Sequence, residues 1–103
     1  MSDGAIRELP KCPKGLSREA QRLWGDLHRE FAIDCATKTR VVRTACDALD
    51  RLRMAQKSIK QHGLTVIGRY GSPVLNPATV VERSARHALM QALQTIGFEG
   101  SIE

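Results

Sequence analysis

Apolar positions recur with a helical period in three segments of the chain, and the first segment starts at Ser17. Serine commonly caps helix N-termini, and Glu19 places a negative charge where the helix dipole favours one. Apolar residues then follow at steps of three and four, which buries one face of a helix. The spacing predicts a helix over 17–31 whose buried face contains Ala20, Leu23, Trp24, Leu27 and Phe31.

The second segment predicts the longest helix. No proline or glycine interrupts residues 37–62, and Gly63 follows at the position where glycine often ends a helix. At 1.5 Å per residue this helix would be roughly 38 Å long. Its apolar residues form a coiled-coil-like seam with Gln56 as a polar gap: Val42, Ala45, Leu49, Leu52 and Ile59.

Residues 64–75, "LTVIGRYGSPVL", predict a short β-hairpin, because residues that favour extended structure flank a turn at Gly68–Gly71. A simple connector between helices would need fewer residues. An isolated two-stranded ribbon is barely stable in water, so we expect the hairpin to lie against its own chain or a neighbouring one.

The third helix is predicted over 77–96, with Asn76 as its cap, Pro77 in the first helical position and Gly97 as its end. Val80 and Met90 project away from its apolar face, where a surface helix should be polar. That face contains Ala78, Val81, Ala85, Leu89, Ala92, Leu93 and Ile96. The predicted fold class is therefore mainly α, with three helices, the second long and coiled-coil-like, and a short β-hairpin between helices two and three.

Length and composition indicate one small domain. The 103 residues divide into an irregular basic N-terminal arm at 1–15, a single helical domain at 16–99 and a tail at 100–103. Apolar residues make up 42% of the chain but aromatic residues only 4%, so the core should be thin. Small domains of this kind often gain stability by assembly.

The net charge of +5 favours an acidic partner such as nucleic acid without establishing one. Basic residues line one flank of the first helix, form a ridge beside the seam of the second, and occupy the hairpin tip and the arm. Each could instead belong to a solvated face or a turn that has no ligand. The candidate DNA-binding residues are Lys11, Lys14, Arg18, Arg22, Arg29, Arg53, Lys57, Lys60 and Arg69.

No pattern in the sequence indicates catalysis, a metal site or a cofactor. Cys12, Cys35 and Cys46 lack the spacing of a zinc site, and neither a Walker motif nor GxGxxG occurs. His28 and His87 are expected at the surface. With no signal peptide and no apolar run long enough to span a bilayer, we expect a soluble intracellular protein and no membrane partner.

Three stretches together resemble the small subunit of tailed-bacteriophage terminases: "GLSREAQRLW", "ACDALDRLRMAQKSIKQHGLTV" and "GRYGSPVLNPATVVERSARHALMQALQTIGF". The similarity covers about residues 14–99. Its most specific features are Gly63-Leu64-Thr65-Val66, the Gly71/Pro73 turn, the Asn76-Pro77 start, Glu82, Arg83, Ala85-Arg86 and Ile96-Gly97-Phe98.

The resemblance implies a non-enzymatic component of a viral genome-packaging motor, acting in the cytoplasm of the infected bacterium. Such subunits form rings, recognise viral double-stranded DNA and deliver it to the large terminase subunit, whose ATPase and nuclease they modulate. Repeating a basic subunit around a ring would multiply weak phosphate contacts. The expected self-association surface consists of Leu64, Val66, Ile67, Tyr70, Val74, Leu75, Val80 and Met90.

Two other functions fit the sequence. A helix-turn-helix transcription regulator could be built from the first helix and the start of the second, but it needs a short recognition helix with exposed polar side chains. A helical protein–protein adaptor without nucleic-acid binding is the other alternative.

Overall fold

The computed structural model of the chain describes residues 10–31 and 33–101, and the side chains of 98–101 are not described. Residues 1–9 of the predicted arm and 102–103 of the predicted tail lie outside the described residues. The structure confirms the predicted fold class. The elements, in chain order, are α1 (Arg18–Glu30), α2 (Ala36–His62), β1 (Thr65–Ile67), β2 (Pro73–Leu75) and α3 (Ala78–Ser101).

Helix α1 lies antiparallel along the first half of α2. At one end, the Ser17 backbone N–H donates to Asp50 Oδ2 over 2.9 Å, and the Ser17 hydroxyl donates to Asp50 Oδ1. The same hydroxyl oxygen accepts from the Ala20 backbone N–H at 3.1 Å, which confirms Ser17 as the cap of α1. At the other end, His28 Nε2 lies 3.5 Å from Thr39 Oγ1. Both ends of α1 are therefore held against α2.

Helix α3 packs on another side of α2, also antiparallel to it. Ala78, near the start of α3, lies beside Ala55 of α2, whereas Ala92 lies beside Val41. Ala48 and Ala55 of α2 and Ala85 and Ala92 of α3 are all buried. Small side chains at these positions let the two helix backbones approach closely.

The core is thin because α2 is flanked by two helices rather than enclosed by them. The shortest dimension of the chain is 18 Å and the longest 67 Å, with a radius of gyration of 17.6 Å. A compact domain of this length would have a radius of about 13 Å. The buried cluster consists of Leu16, Ala20, Trp24, Leu27, Val42, Ala45, Cys46, Leu49, Ala92 and Ile96. It contains most of the predicted faces of α1 and α2, but Leu23 and Phe31 are only partly buried against it, and Leu52 and Ile59 are not part of it.

The predicted end of α3 is wrong, since the helix continues through Gly97 to Ser101. Glycine in a helix costs about 1 kcal/mol relative to alanine, which packing can outweigh. The Phe31 ring lies beside Gly97, 3.8 Å from where a Cβ atom would be, and Ile96 is buried. Tertiary packing therefore stabilises α3 beyond Gly97.

The surface position predicted for His28 is also wrong. Its side chain is buried, Nδ1 lies 2.9 Å from the Trp24 backbone carbonyl oxygen, and its ring centroid is 4.5 Å from that of Trp24. His28 lies one helical turn after Trp24, so both rings project into the same interface with α2.

The hairpin has the predicted turn but is not covered by its own chain. Strands β1 and β2 pair antiparallel, with Val66 opposite Val74. The Gly68 N–H donates to the Ser72 carbonyl and the Gly71 N–H to the Gly68 carbonyl, while Gly71 has a φ of +84°. These features define a three-residue hairpin loop that ends in a left-handed glycine. Every strand residue except the half-buried Val66 is exposed, so docking within the chain does not occur.

Asn76 joins the ends of α2, the hairpin and α3. Its side-chain oxygen accepts from the Ala78 backbone N–H, and its side-chain amide donates to the Gly63 carbonyl, both over 2.9 Å. Its own backbone N–H donates to the Leu64 carbonyl over 2.7 Å. The side chain is buried with both of its polar atoms bonded, and the predicted Asn76-Pro77 helix start is confirmed.

Replacing Asn76 with alanine should lower the free energy of unfolding by about 2 kcal/mol, because it removes a helix cap and a second buried hydrogen bond. Asn76→Ser keeps a capping oxygen but cannot replace the bond to Gly63, so it should recover about half of that loss. Urea unfolding followed by Trp24 fluorescence measures both. Equal stability of the two variants would contradict the capping role.

Candidate nucleic-acid and assembly surfaces

Within the described side chains, almost every carboxylate is already bound to another group of the chain. Four ion pairs lie within single elements or at their ends: Asp26 with Arg29, Asp34 with Lys38, Asp47 with Arg43 and Glu82 with Arg86. Glu19 and Asp50 join α1 to α2 through Arg53 and Ser17. Glu30 is the one described carboxylate without such a partner.

The basic residues show the opposite pattern, because many exposed lysines and arginines in the described part of the chain have no acidic partner. An unpaired cation on the surface can bind an external anion without first breaking an internal contact. These unpaired cations are Lys11, Lys14, Arg18, Arg22, Arg40, Arg51, Lys57, Lys60, Arg69 and Arg83.

The flank predicted on α1 contains two free arginines and one paired one. Arg18 and Arg22 are exposed and make no ion pair, whereas Arg29 Nη2 lies 2.6 Å from Asp26 Oδ1. The Arg29 guanidinium also lies over Gly25, since a Cβ atom there would be 3.0 Å from Nη1. The glycine makes room for this internal pair, so Arg18 and Arg22 are the cations available to an anion on this flank.

The ridge predicted on α2 is divided in the same way. Arg53 binds both carboxylate oxygens of Glu19, with nitrogen–oxygen distances of 2.9 to 3.2 Å, and donates to Gln56 Oε1 at 2.9 Å. Arg53 therefore joins α1 to α2. Lys57 and Lys60 lie one and two helical turns farther along α2, where α1 no longer covers it, and both are exposed.

The contact with Arg53 also shifts the titration of Glu19. The hydrogen bond from the Arg53 guanidinium, helped by its charge, lowers the pKa of the Glu19 carboxyl below its ordinary value of 4.5 despite some loss of solvation. The same contact raises the pKa of Arg53. Both groups thus remain charged at neutral pH and keep α1 attached.

Three free cations were missed by the sequence interpretation, namely Arg40, Arg51 and Arg83. Arg40 and Arg83 have no carboxylate three or four residues away, so the sequence already indicates that neither forms an ion pair within its helix. Arg51 has Asp47 four residues before it, but Asp47 binds Arg43 instead. The sequence alone does not decide between those two arginines.

The predicted association residues are mostly exposed. Tyr70 at the hairpin tip is 88% exposed and Ile67 71%, and Val80 and Met90 of α3 are each more than half exposed. The others are Leu64, Val74 and Leu75, also exposed, and Val66, half-buried. The hairpin and Val80 lie at the end where α3 begins, whereas Met90 lies nearly three turns farther along that helix.

Two further apolar side chains belong to that end of the molecule and were not predicted as exposed. Met54 is 71% exposed and Val81 45%, and together with Ala55, Ala78 and the stem of Arg51 they line an open groove between α2 and α3. Val81 was assigned to the buried face of α3. Val81 is uncovered because this groove is formed by α2 and the first turns of α3 alone, and no third element of the described chain lies over it.

Among the described residues, no three His, Cys, Asp or Glu side chains come together as metal ligands. Burial raises the pKa of the Cys46 thiol to about 12, so it stays protonated and a poor nucleophile. Among the helices that the structure describes, none combines the length and the apolar character that crossing a membrane requires.

Comparison with known protein families identifies a match over most of the chain. The family model described as "Phage terminase, small subunit" matches residues 20–102, which contain most of α1 and all of α2, the hairpin and α3. No curated protein and no solved structure matches the chain.

The Glu19–Arg53 contact should make stability depend on pH. Because the folded state lowers the Glu19 pKa, the stabilisation is present above 4.5, its value in the unfolded chain, and is lost as pH falls through the folded pKa. We expect Glu19→Gln to reduce stability at about pH 6 and to matter much less at about pH 3. Urea unfolding of both proteins at each pH measures this. A difference that grows on acidification would contradict it.

Proposed function

The chain belongs to the small-subunit family of phage terminases, and we propose that it is the non-catalytic, DNA-binding and self-assembling subunit of a viral packaging motor. The observation that carries this proposal is the imbalance of free charges. All the described carboxylates except Glu30 are bound within the chain, whereas the unpaired cations are exposed. That surface suits a polyanion.

Double-stranded DNA is the proposed anion, and the α1 flank is its main proposed contact. Arg18 and Arg22 are one helical turn apart, so both guanidinium groups can face one DNA backbone. Lys57 and Lys60, on the part of α2 beyond the start of α1, are also exposed and could add phosphate contacts. Lys11 and Lys14, in the segment before α1, are exposed and could add further phosphate contacts.

Self-assembly is proposed because the hairpin lacks a partner. Two paired strands of three residues are not independently stable, and here their apolar side chains lie in water. A second copy of the chain would bury them. If each copy binds the next through different surfaces and the rotation closes, the product is a ring. A ring repeats weak phosphate contacts and raises the overall affinity for DNA.

The remaining parts of the proposal come from the family. In this account the assembled subunit recruits the large terminase subunit to viral DNA and regulates its motor and nuclease activities, in the cytoplasm of the infected bacterium. In this proposal the catalytic work belongs to the large subunit.

A helix-turn-helix regulator is disfavoured by the arrangement of α1 and α2. In that motif the helices cross at about 90–120°. Here Ser17 contacts Asp50 and His28 lies beside Thr39, so α1 is aligned with α2 along its whole length. A protein–protein adaptor predicts no DNA binding at moderate salt, and the following experiment tests it.

Arg18→Gln together with Arg22→Gln should weaken binding to a labelled mixed-sequence duplex of about 30 base pairs by at least tenfold. Because each bound phosphate releases counterions, the slope of log affinity against log salt should also fall by about 0.9 for each lost phosphate contact, or about 1.8 for both arginines. Fluorescence anisotropy over a range of salt concentrations measures both quantities.

Two control variants accompany this measurement. Arg40→Gln with Arg83→Gln removes the same charge from other exposed sites, and Asp26→Asn with Arg29→Gln removes the internal pair without changing net charge. Both should change affinity by less than about threefold. Equal losses in the Arg18/Arg22 and Arg40/Arg83 variants would show that only net charge matters. Absence of binding by the unaltered protein would favour the adaptor.

Ile67→Asp with Leu75→Asp should dissociate the assembly. Both side chains are exposed on one face of the hairpin, so the substitutions should leave the helical content of the subunit unchanged. Light scattering after size exclusion should show a mass reduced toward that of one chain, 11.4 kDa. Gln61→Asp, at an exposed polar site near the end of α2, should keep the mass of the unaltered protein. An unchanged mass for the hairpin variant would exclude this face from self-association.

A further inference from the structure

We propose that the tip of the hairpin, Arg69 and Tyr70, binds the phosphate backbone of DNA rather than a second copy of the chain. This inference rests on the proposed function, and it adds a contact separate from the α1 flank. It also divides the hairpin in two, since the strand residues Ile67 and Leu75 stay assigned to self-association.

The electrostatics of this end of the molecule carry the inference. Residues 51–81 contain no aspartate or glutamate. Within them Lys57, Lys60 and Arg69 are exposed and have no acidic partner. The end of α2 and the whole hairpin therefore contain cations but no acidic residue of their own. A polyanion is complementary to the cationic tip of the hairpin, whereas the apolar strand residues suit a second copy of the chain.

The turn geometry presents the two tip residues outward. The hydrogen bond from the Gly71 N–H to the Gly68 carbonyl closes the loop with Arg69 and Tyr70 at its two central positions. Gly71, with a φ of +84°, completes the loop in a conformation that other residues rarely adopt. Both tip side chains are exposed, and Tyr70 is the most exposed large apolar residue of the described chain.

The base of the hairpin is held in a fixed relation to α2. Asn76 bonds through its side chain to Gly63 and through its backbone N–H to Leu64, where the hairpin leaves the helix. The tip and the lysines at the end of α2 thus belong to one framework and can contact one duplex together. Arginine and tyrosine side chains both donate hydrogen bonds to phosphate oxygens.

The test uses the full chain and the same labelled duplex. Arg69→Gln should weaken binding by about five- to tenfold and lower the salt slope by about 0.9 for each tip that contacts a phosphate. Arg69→Lys keeps the charge and should stay within about twofold of the unaltered protein. Tyr70→Phe removes only the hydroxyl group and should cause a smaller loss, of about threefold.

Arg40→Gln is the matched control, because Arg40 is also exposed and unpaired but lies near the opposite end of α2. It should reduce affinity by less than about twofold. An Arg69→Gln affinity equal to that of Arg40→Gln would overturn the inference. So would a fall in the mass of the assembly on Arg69→Gln or Tyr70→Phe, which would assign the tip to self-contact.

The outcomes separate this inference from the proposed function. Loss of binding in the Arg18/Arg22 variant, with Arg69→Gln behaving like the control, would leave the function intact and refute only the tip contact. Failure of the unaltered protein to bind the duplex at moderate salt would refute both.

Discussion

The packing of two helices along one long central helix determines what the rest of this molecule can do. Helices α1 and α3 bury two sides of α2, α3 through small side chains, and the chain measures only 18 Å along its shortest axis. So thin an arrangement has no second level of structure that could cover a protruding hairpin. The apolar side chains of the hairpin, together with Met54 and Val81, are consequently left in solvent. Exposed apolar area of this kind usually marks a binding surface.

Charge is distributed to serve the same arrangement. The carboxylates of Glu19 and Asp50 attach α1 to the central helix, and most of the others bind arginines or lysines close by in the same region of the chain. This use of the acids leaves an excess of unpaired cations at the surface. Residues 51–81, which include the hairpin, contain no aspartate or glutamate. Fold stability and affinity for a polyanion thus depend on the same few carboxylates, which explains why a net charge of only +5 can produce a strongly basic surface.

Much of the fold was readable from the sequence because strong local signals agreed with the tertiary structure. Ser17, Gly63 and the Asn76-Pro77 pair mark helix ends, and Gly71 marks the turn, each for a backbone reason that does not depend on distant contacts. The predictions failed where packing decided the outcome. Gly97 remains helical beside Phe31, and His28 is buried beside Trp24 rather than exposed. The candidate site could be predicted only in part. Arg29 and Arg53 are bound to carboxylates and so differ from the unpaired cations, and which carboxylate an arginine binds depends on the folded geometry.

The central claim is that a single copy of this chain is incomplete and that copies bind one another through the uncovered hairpin end. Sedimentation velocity of the unaltered full chain over a wide range of concentrations tests this most directly. The account predicts one species whose mass is a fixed multiple of 11.4 kDa and which persists on dilution to micromolar concentration, on the order of the affinity expected for a specific interface. A stable species of 11.4 kDa at every concentration, with or without DNA, would contradict it.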